Sequence, residues 1–297
     1  MANITTMPFR SICREMGADI VYTQMLSSNA IIHNPGKTLK IASFLPAEEP
    51  VILQIFGYDG NLMAEAAKVA QNALKCAGID INMGCPAPKI TGNECGSALL
   101  RDLTKSAKLI EKIRDNFDGE LSVKLRLGWD KFEILDFVKT LEKIGINSIS
   151  VHGRTAKQGY RGKSDWEAIN RIVDSVSIPV IGNGDIDSSI VANKRLKDSN
   201  LAGIMIGRAA LGNPWISRSI KENREIVPTK KEIAEVIMHQ TKRSIDFIGE
   251  HQGVKEMRKH LCWYLNGFPG AKDLRKQAVQ VETEEDIKQV CLSLRGL

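Results

Sequence analysis

Six short apolar runs in succession end on side chains able to do chemistry. They are Gln54, Asn82 with Cys85, Lys124 with Arg126, His152 with Arg154, Asn183 with Asp185, and Arg208. Amides, a thiol, an amine, an imidazole and guanidinium groups brought together can grip an anionic ligand and pass it a proton. Each alone also reads as a turn cap or a solvated charge, but strand ends with no other task more often carry Gly, Ser or apolar residues. Cys85 has the most constrained setting, Asn82-Met83-Gly84-Cys85-Pro86. Gly before it and Pro after it hold the thiol on a sharp loop, where it can act as an acid or a nucleophile. Cys95, just ahead of Gly96-Ser97-Ala98-Leu99, is the rival thiol and lacks that rigid setting. Gly182-Asn183-Gly184-Asp185 and Gly207-Arg208 are loops whose backbone N–H groups can come close to a phosphate, or else ordinary tight turns. No G-x-G-x-x-G and no Walker A motif is present, which disfavours a Rossmann or P-loop nucleotide site.

These residues need elements that carry them to one end of a fold. Runs rich in β-branched residues fall at 20–25, 51–56, 79–83, 121–127, 147–151, 178–182 and 202–206. Helical periods lie between them: Leu62, Ala66, Val69, Ala70, Ala73 and Leu74 form one stripe, and Phe132, Leu135, Val138, Leu141 and Ile144 another. Strands alternating with helices give βα units and a parallel sheet, and this many units favour a barrel whose site lies at the C-terminal strand ends. The chain opens on a helix, started at Thr6 and Pro8 and stopped at Gly17, with no strand before it. The expected fold is therefore α/β, a (β/α)8 TIM-type barrel lacking its first strand. The two Gly loops then follow the seventh and eighth strand positions, where barrels frequently bind phosphate.

Beyond the break at Val227-Pro228-Thr229 the text is helical, over 233–248, 255–265, 272–280 and 284–294. We expect a catalytic barrel over residues 1–220 and a helical domain over 221–297, joined through Asn213-Pro214-Trp215 and the helix that follows. Residues 255–276 hold six basic residues against two acids, interleaved with Trp263, Tyr264 and Phe268. Basic groups neutralise phosphates and aromatic rings stack on bases, so this segment can grip RNA; alternatively the rings are core and the charges a solvated face. The 297 residues are 43% hydrophobic and 26% charged, as in an ordinary globular protein, and the net charge of +6 leans toward an anionic partner. The absence of a long apolar run or an apolar leader makes a membrane span unexpected and a cytoplasmic location the default. Six cysteines with no C-x-x-C pair argue against a disulfide scaffold and a zinc site.

Taken together these residues resemble the tRNA-dihydrouridine synthases, most of all the bacterial B-type. The resemblance is carried by Met1-Ala2, Pro8-Phe9-Arg10, Leu53-Gln54-Ile55-Phe56-Gly57, Asp80 through Pro86, and Gly96-Ser97-Ala98-Leu99-Leu100. It continues in Val123-Lys124-Leu125-Arg126, Val151-His152-Gly153-Arg154-Thr155, Gly182 through Asp185, Ile206-Gly207-Arg208, and Arg258-Lys259-His260 with Trp263-Tyr264-Leu265. The resemblance implies an FMN-dependent oxidoreductase that uses NADPH to reduce particular uridines in tRNA to 5,6-dihydrouridine. Hydride would go to C6, and Cys85 would give the proton to C5. It also implies that Met1, Ala2, Gln54, Lys124, His152, Asn183, Gly184, Asp185, Gly207 and Arg208 bind the flavin. Asn82, Arg126, Arg154, Arg258, Lys259 and Arg275 would bind tRNA. No metal and no protein partner is expected. Two other readings stay open: a flavin oxidoreductase for free pyrimidines, which would not need the basic tail, and an RNA binder without enzyme activity.

Overall fold

The computed structural model describes residues 1–296. Eight short strands are present: β1 (Val21–Tyr22), β2 (Leu26–Ser27), β3 (Val51–Phe56), β4 (Gly78–Met83), β5 (Leu121–Arg126), β6 (Ser148–His152), β7 (Val180–Asn183) and β8 (Gly203–Met205). The barrel helices are α1 (Met7–Glu15), α2 (Ser28–His33), α3 (Pro35–Ala42), α4 (Gly60–Leu74), α5 (Pro88–Thr91), α6 (Leu103–Asp115), α7 (Leu135–Ile144), α8 (Trp166–Val173), α9 (Ser189–Lys197) and α10 (Ile216–Lys221). The tail folds as α11 (Lys230–Ile248), α12 (Glu250–Tyr264), α13 (Ala271–Ala278) and α14 (Glu284–Gly296).

All strand pairs are parallel, in the order β1-β3-β4-β5-β6-β7-β8, with β2 also on β3. β1 and β2 are two pieces of the expected run at 20–25. Tyr22 pairs with Ile52 and Leu26 with Ile55, so one extra residue is accommodated between them. Thr23 takes up the slack, because its Oγ1 accepts the Gln54 N–H at 3.0 Å where a backbone carbonyl would otherwise serve. The sheet thus has seven positions, as the sequence predicts, and among the described residues β1 and β8 do not pair. The result is a TIM-type barrel open by one strand, ringed by helices.

Strand side chains alternate between two environments, as the two-residue period requires. Leu53, Ile55, Ile79, Ile81, Val123, Leu125, Ile149 and Val151 are fully buried in the larger core under the helices. Each stabilises the fold by roughly 1.5–3 kcal/mol. The intervening Gln54, Asp80, Asn82, Ser122, Lys124, Ser150 and His152 face the barrel axis, so the lumen is polar. Helix placement follows from local signals. Asp59 caps α4 by accepting from Asn61 and Leu62 N–H at 2.9 and 3.0 Å, and Ala66, Ala67 and Ala70 let that helix lie close against the sheet. Thr229 and Glu232 form a reciprocal capping box that starts α11.

A second core gathers Ala234, Ile237, Val254, Met257, Leu261, Tyr264, Ile287 and Leu294 from the tail, but also Ile12 of α1 and Trp215. Arg243 of α11 donates to Ser11 Oγ at 2.9 Å and pairs with Glu15. The boundary expected at residue 220 therefore separates the sequence but not the cores, since α1 packs with the tail. Among the described residues no helix is long and apolar enough to cross a membrane.

Candidate functional site

Strand register brings the predicted residues to one level. Asn82 is opposite Lys124, Arg126 opposite His152, His152 opposite Asn183, and Asn183 opposite Met205. Lys124 Nζ donates to Asn183 Oδ1 at 3.4 Å, and Asn183 Nδ2 donates to the Met205 carbonyl at 2.7 Å, which links the middle of the sheet to its far edge. The mouth is strongly cationic. Burial pulls the Lys124 amine down to about 8, with the Asp80 carboxylate opposing that fall. Burial, together with Lys124, Arg126 and Arg154, pushes the His152 imidazole down to about 2. His152 is therefore neutral at physiological pH. Its Nε2 lies 3.4 Å from Arg154 Nη1.

Cys85 is half-buried at the rim. Its N–H donates to Asn82 Oδ1 at 2.9 Å, and its carbonyl accepts from Ser97 N–H at 3.0 Å. Gly96, at φ +61°, explains the segment that follows: a Cβ there would lie 2.8 Å from the Cys85 carbonyl oxygen and 3.2 Å from the Cys85 Cβ. Only glycine lets that turn close over the thiol loop. Cys95 is buried, donates to the Asn93 carbonyl at 3.1 Å, and is pushed by burial up to about 11. That thiol is sealed in the turn, whereas the Cys85 thiol is half-buried at the strand end.

Several residues expected to touch ligands are committed to the protein itself. Arg126 is 2% exposed and donates to the Gly84, Thr155 and Gly159 carbonyls at 2.8, 2.9 and 2.8 Å. Arg154, also 2% exposed, donates to Gly162 and Arg161 carbonyls, Ser164 Oγ and Asp185. Both arginines brace the loop at 155–164, rather than standing free for tRNA. Asp185, expected at a phosphate, accepts from Arg154 at 2.7 Å and Ser164 N–H at 2.8 Å. Burial works to raise its carboxyl, but those donors outweigh it and hold it below the usual carboxylate range. Gln54 and Asn82 bond to one another at 2.8 Å, at the floor of the mouth. The Met1 and Ala2 side chains are exposed, while burial of the amino-terminal nitrogen, helped by the Lys124 cation, lowers that ammonium to about 6. Arg208 is 56% exposed, and Gly207 faces open space. Gly184, at φ +124°, turns the chain between Ser164 and His152.

The predicted tail residues make their hydrogen bonds within the tail. Arg258 Nε donates to the Val281 carbonyl at 2.9 Å, and Arg275 Nη1 to the Leu265 carbonyl at 2.7 Å. Lys259 is half-buried, and burial lowers its amine while Glu256 opposes. Tyr264 is core, its hydroxyl donating to Gln240 at 2.8 Å, and Trp263 packs edge-on against His260. The interleaved rings are therefore mainly packing, as the second reading of that segment has it. Sequence reasoning passed over Tyr160, an exposed ring at the mouth with Arg208 4.7 Å and Arg126 5.7 Å from its centroid. No periodic signal marks it.

Comparison with known proteins agrees with this geometry. A family model described as dihydrouridine synthase matches residues 1–295. The tRNA-dihydrouridine synthase B of Pseudomonas aeruginosa is 37% identical over 302 residues, covering 99% of this chain and 90% of that protein. The protein of the same name from Pseudomonas putida is 36% identical over 303 residues, covering 100% and 89%. Among solved structures, histamine dehydrogenase from Rhizobium sp. 4-9 matches with a TM-score of 0.59 at 11% identity, over 98% of this chain and 59% of that one, and so shares the barrel fold. The polar barrel mouth, the glycine-closed Cys85 loop and these matches agree, and the chain belongs to the dihydrouridine synthase family of oxidoreductases.

Proposed function

We propose that the protein reduces specific uridines in tRNA to 5,6-dihydrouridine in the cytoplasm, with FMN at the barrel mouth, NADPH as reductant and Cys85 as proton donor to C5. The observation that carries this reading is Cys85, held at the rim by Asn82 and Ser97 beside the Lys124 amine and the neutral His152 imidazole. The residues fit a flavin phosphate. The loops after β7 and β8 lie side by side, Gly207 faces open space where a backbone N–H can approach a phosphate oxygen, and the half-exposed Arg208, paired with Asp185 at 3.3 Å, supplies a cation beside it. When bound, the flavin supplies hydride to C6 of the uracil.

The chain's own residues do the rest. Lys124 places an ammonium beside Asn183, where it attracts negative charge on the bound ring system. His152, kept neutral, adds hydrogen bonding at the mouth without further positive charge. Cys85 brings a thiol to the rim as the proton source for C5. Arg126 and Arg154 hold the loop bearing Tyr160 across the mouth. Lys255 and Lys272 stay exposed on the tail with Arg258, Lys259 and Arg275 at its partly covered face, a basic surface suited to the tRNA backbone. The target base must leave its stack to reach the rim.

The test is NADPH-dependent dihydrouridine formation on unmodified tRNA by flavin-loaded protein. Cys85→Ala is expected to lose about 10²–10⁴-fold in rate with flavin content unchanged. Full activity of Cys85→Ala removes the acid role, and reduction of free uracil as fast as tRNA overturns the substrate.

A further inference from the structure

A carboxylate lies at the floor of this site where a barrel ordinarily packs a branched apolar side chain. Asp80 on β4 is completely buried and, among the described residues, forms no ion pair. Its Oδ2 accepts from Gln54 Nε2 at 2.7 Å and its Oδ1 from Ser122 Oγ at 2.7 Å. We propose that Asp80 is a positioning residue: through the side-chain amides of Gln54 and Asn82 it fixes the polarity of the hydrogen bonds that hold the Cys85 loop. This rests on the reading of Cys85 as proton donor.

The argument is one of donors and acceptors. An ionised carboxylate only accepts, so Gln54 turns its NH₂ toward Asp80 and its Oε1 away. That oxygen only accepts, so Asn82 turns its NH₂ toward Gln54, at 2.8 Å. Asn82 Oδ1 is then left facing the Gly84 and Cys85 N–H groups, at 3.2 and 2.9 Å, which only donate. Every link has one permitted direction, and both ends of the chain agree on it. Reversing either amide sets two donors face to face in a buried setting, which is costly. Gln54, Asp80 and Asn82 are all at most 8% exposed, so water does not substitute readily. A buried charge is a poor source of stability, and its retention calls for another role.

A different role, as counter-charge to Lys124 alone, makes a different forecast. Asp80→Asn removes the charge but still offers Gln54 a carbonyl oxygen, with its NH₂ donating to Ser122 Oγ. Asp80→Leu removes charge and acceptor together. Amide hydrogen exchange at Gly84 and Cys85, measured on the protein without flavin, reads the loop directly. Asp80→Leu is expected to speed exchange there about fivefold or more, with β5 and β6 unchanged, and Asp80→Asn to restore protection. In single turnover on unmodified tRNA, Asp80→Leu is expected to lose at least about tenfold with flavin retained, Asp80→Asn to recover most of it, and Asp80→Leu to add little in a Cys85→Ala background. If Asp80→Leu fails to fold, Gln54→Leu cuts the same chain one link on and carries the same exchange forecast. Unchanged exchange at Gly84 and Cys85, or equal loss in the Asn and Leu variants, overturns the proposal. Full activity of Cys85→Ala defeats the acid role instead and leaves the exchange result standing, so the two failures are distinct.

Discussion

Arg154 is expected to hold the mouth loop shut, and removing it should open that loop without unfolding the barrel. The guanidinium reaches the Gly162 carbonyl at 2.6 Å, Asp185 at 2.7 Å, Ser164 Oγ at 2.9 Å and the Arg161 carbonyl at 3.2 Å. A fully buried ion pair broken on one side costs about 3–5 kcal/mol. Asp185 is 35% exposed and keeps the Ser164 N–H, so part of that cost is returned by water. About 2–3 kcal/mol remains for Arg154→Ala, which raises the open population roughly 30–150-fold. Lys157, Arg161 and Lys163 in this loop are exposed, so trypsin reports the opening directly. At low protease the nicking rate tracks the open population and should rise by that factor. Arg154→Lys keeps one charge but cannot reach all four acceptors, and should fall between. Nicking no faster than wild type, in a protein that remains folded, refutes the idea that Arg154 braces the loop.

Three further outcomes follow from the same geometry. Since the Lys124 ammonium is lost as pH rises through about 8, FMN affinity of the protein should fall about tenfold between pH 7 and 9.5, and this step should vanish in Lys124→Met. Gly184→Ala places a Cβ 2.1 Å from Ser164 Oγ at φ +124°, so urea denaturation should show a loss of about 1–3 kcal/mol together with weaker FMN binding. Burial raises the Asp80 carboxyl from 3.8 to about 6, so the folded state binds the extra proton between those values. Its stability penalty, up to about 3 kcal/mol, is then complete above pH 6 and absent below about 4. Asp80→Asn should therefore stabilise the fold by about 1–3 kcal/mol at pH 7 and not at pH 4, read by urea midpoints at the two pH values.

The sheet was legible because β-branched runs and helical stripes are local signals. The seven strand positions, the caps at Asp59 and Thr229 and the Cys85 turn all follow from neighbouring residues. What was not legible depends on partners far away in the chain. Nothing beside Thr23 announces that its hydroxyl will replace a ladder bond and split a strand. Arg126 and Arg154 look like any cation at a strand end, and only the loop that folds over them turns them into braces. Trp263 and Tyr264 alternate with basic residues as a stacking surface would, yet Gln240 claims Tyr264 for the core and Trp263, half-buried, packs against His260. Asp80 sits two residues before Asn82, so its inward direction was readable. The polarity of the lumen it faces was not.

The sharing of α1 between two cores has a consequence for biosynthesis. Arg243 meets Ser11 across 232 positions of sequence. At about 5–20 residues per second a ribosome needs roughly 10–50 s to travel that distance. Through that interval Ile12 has no tail to pack on, while the intervening strands can already pair. The newborn chain thus carries the Ile12 face of α1 without its tail partners until α11 has emerged, even though Arg10 can already pair with Glu48, and the joining of the two cores waits on that.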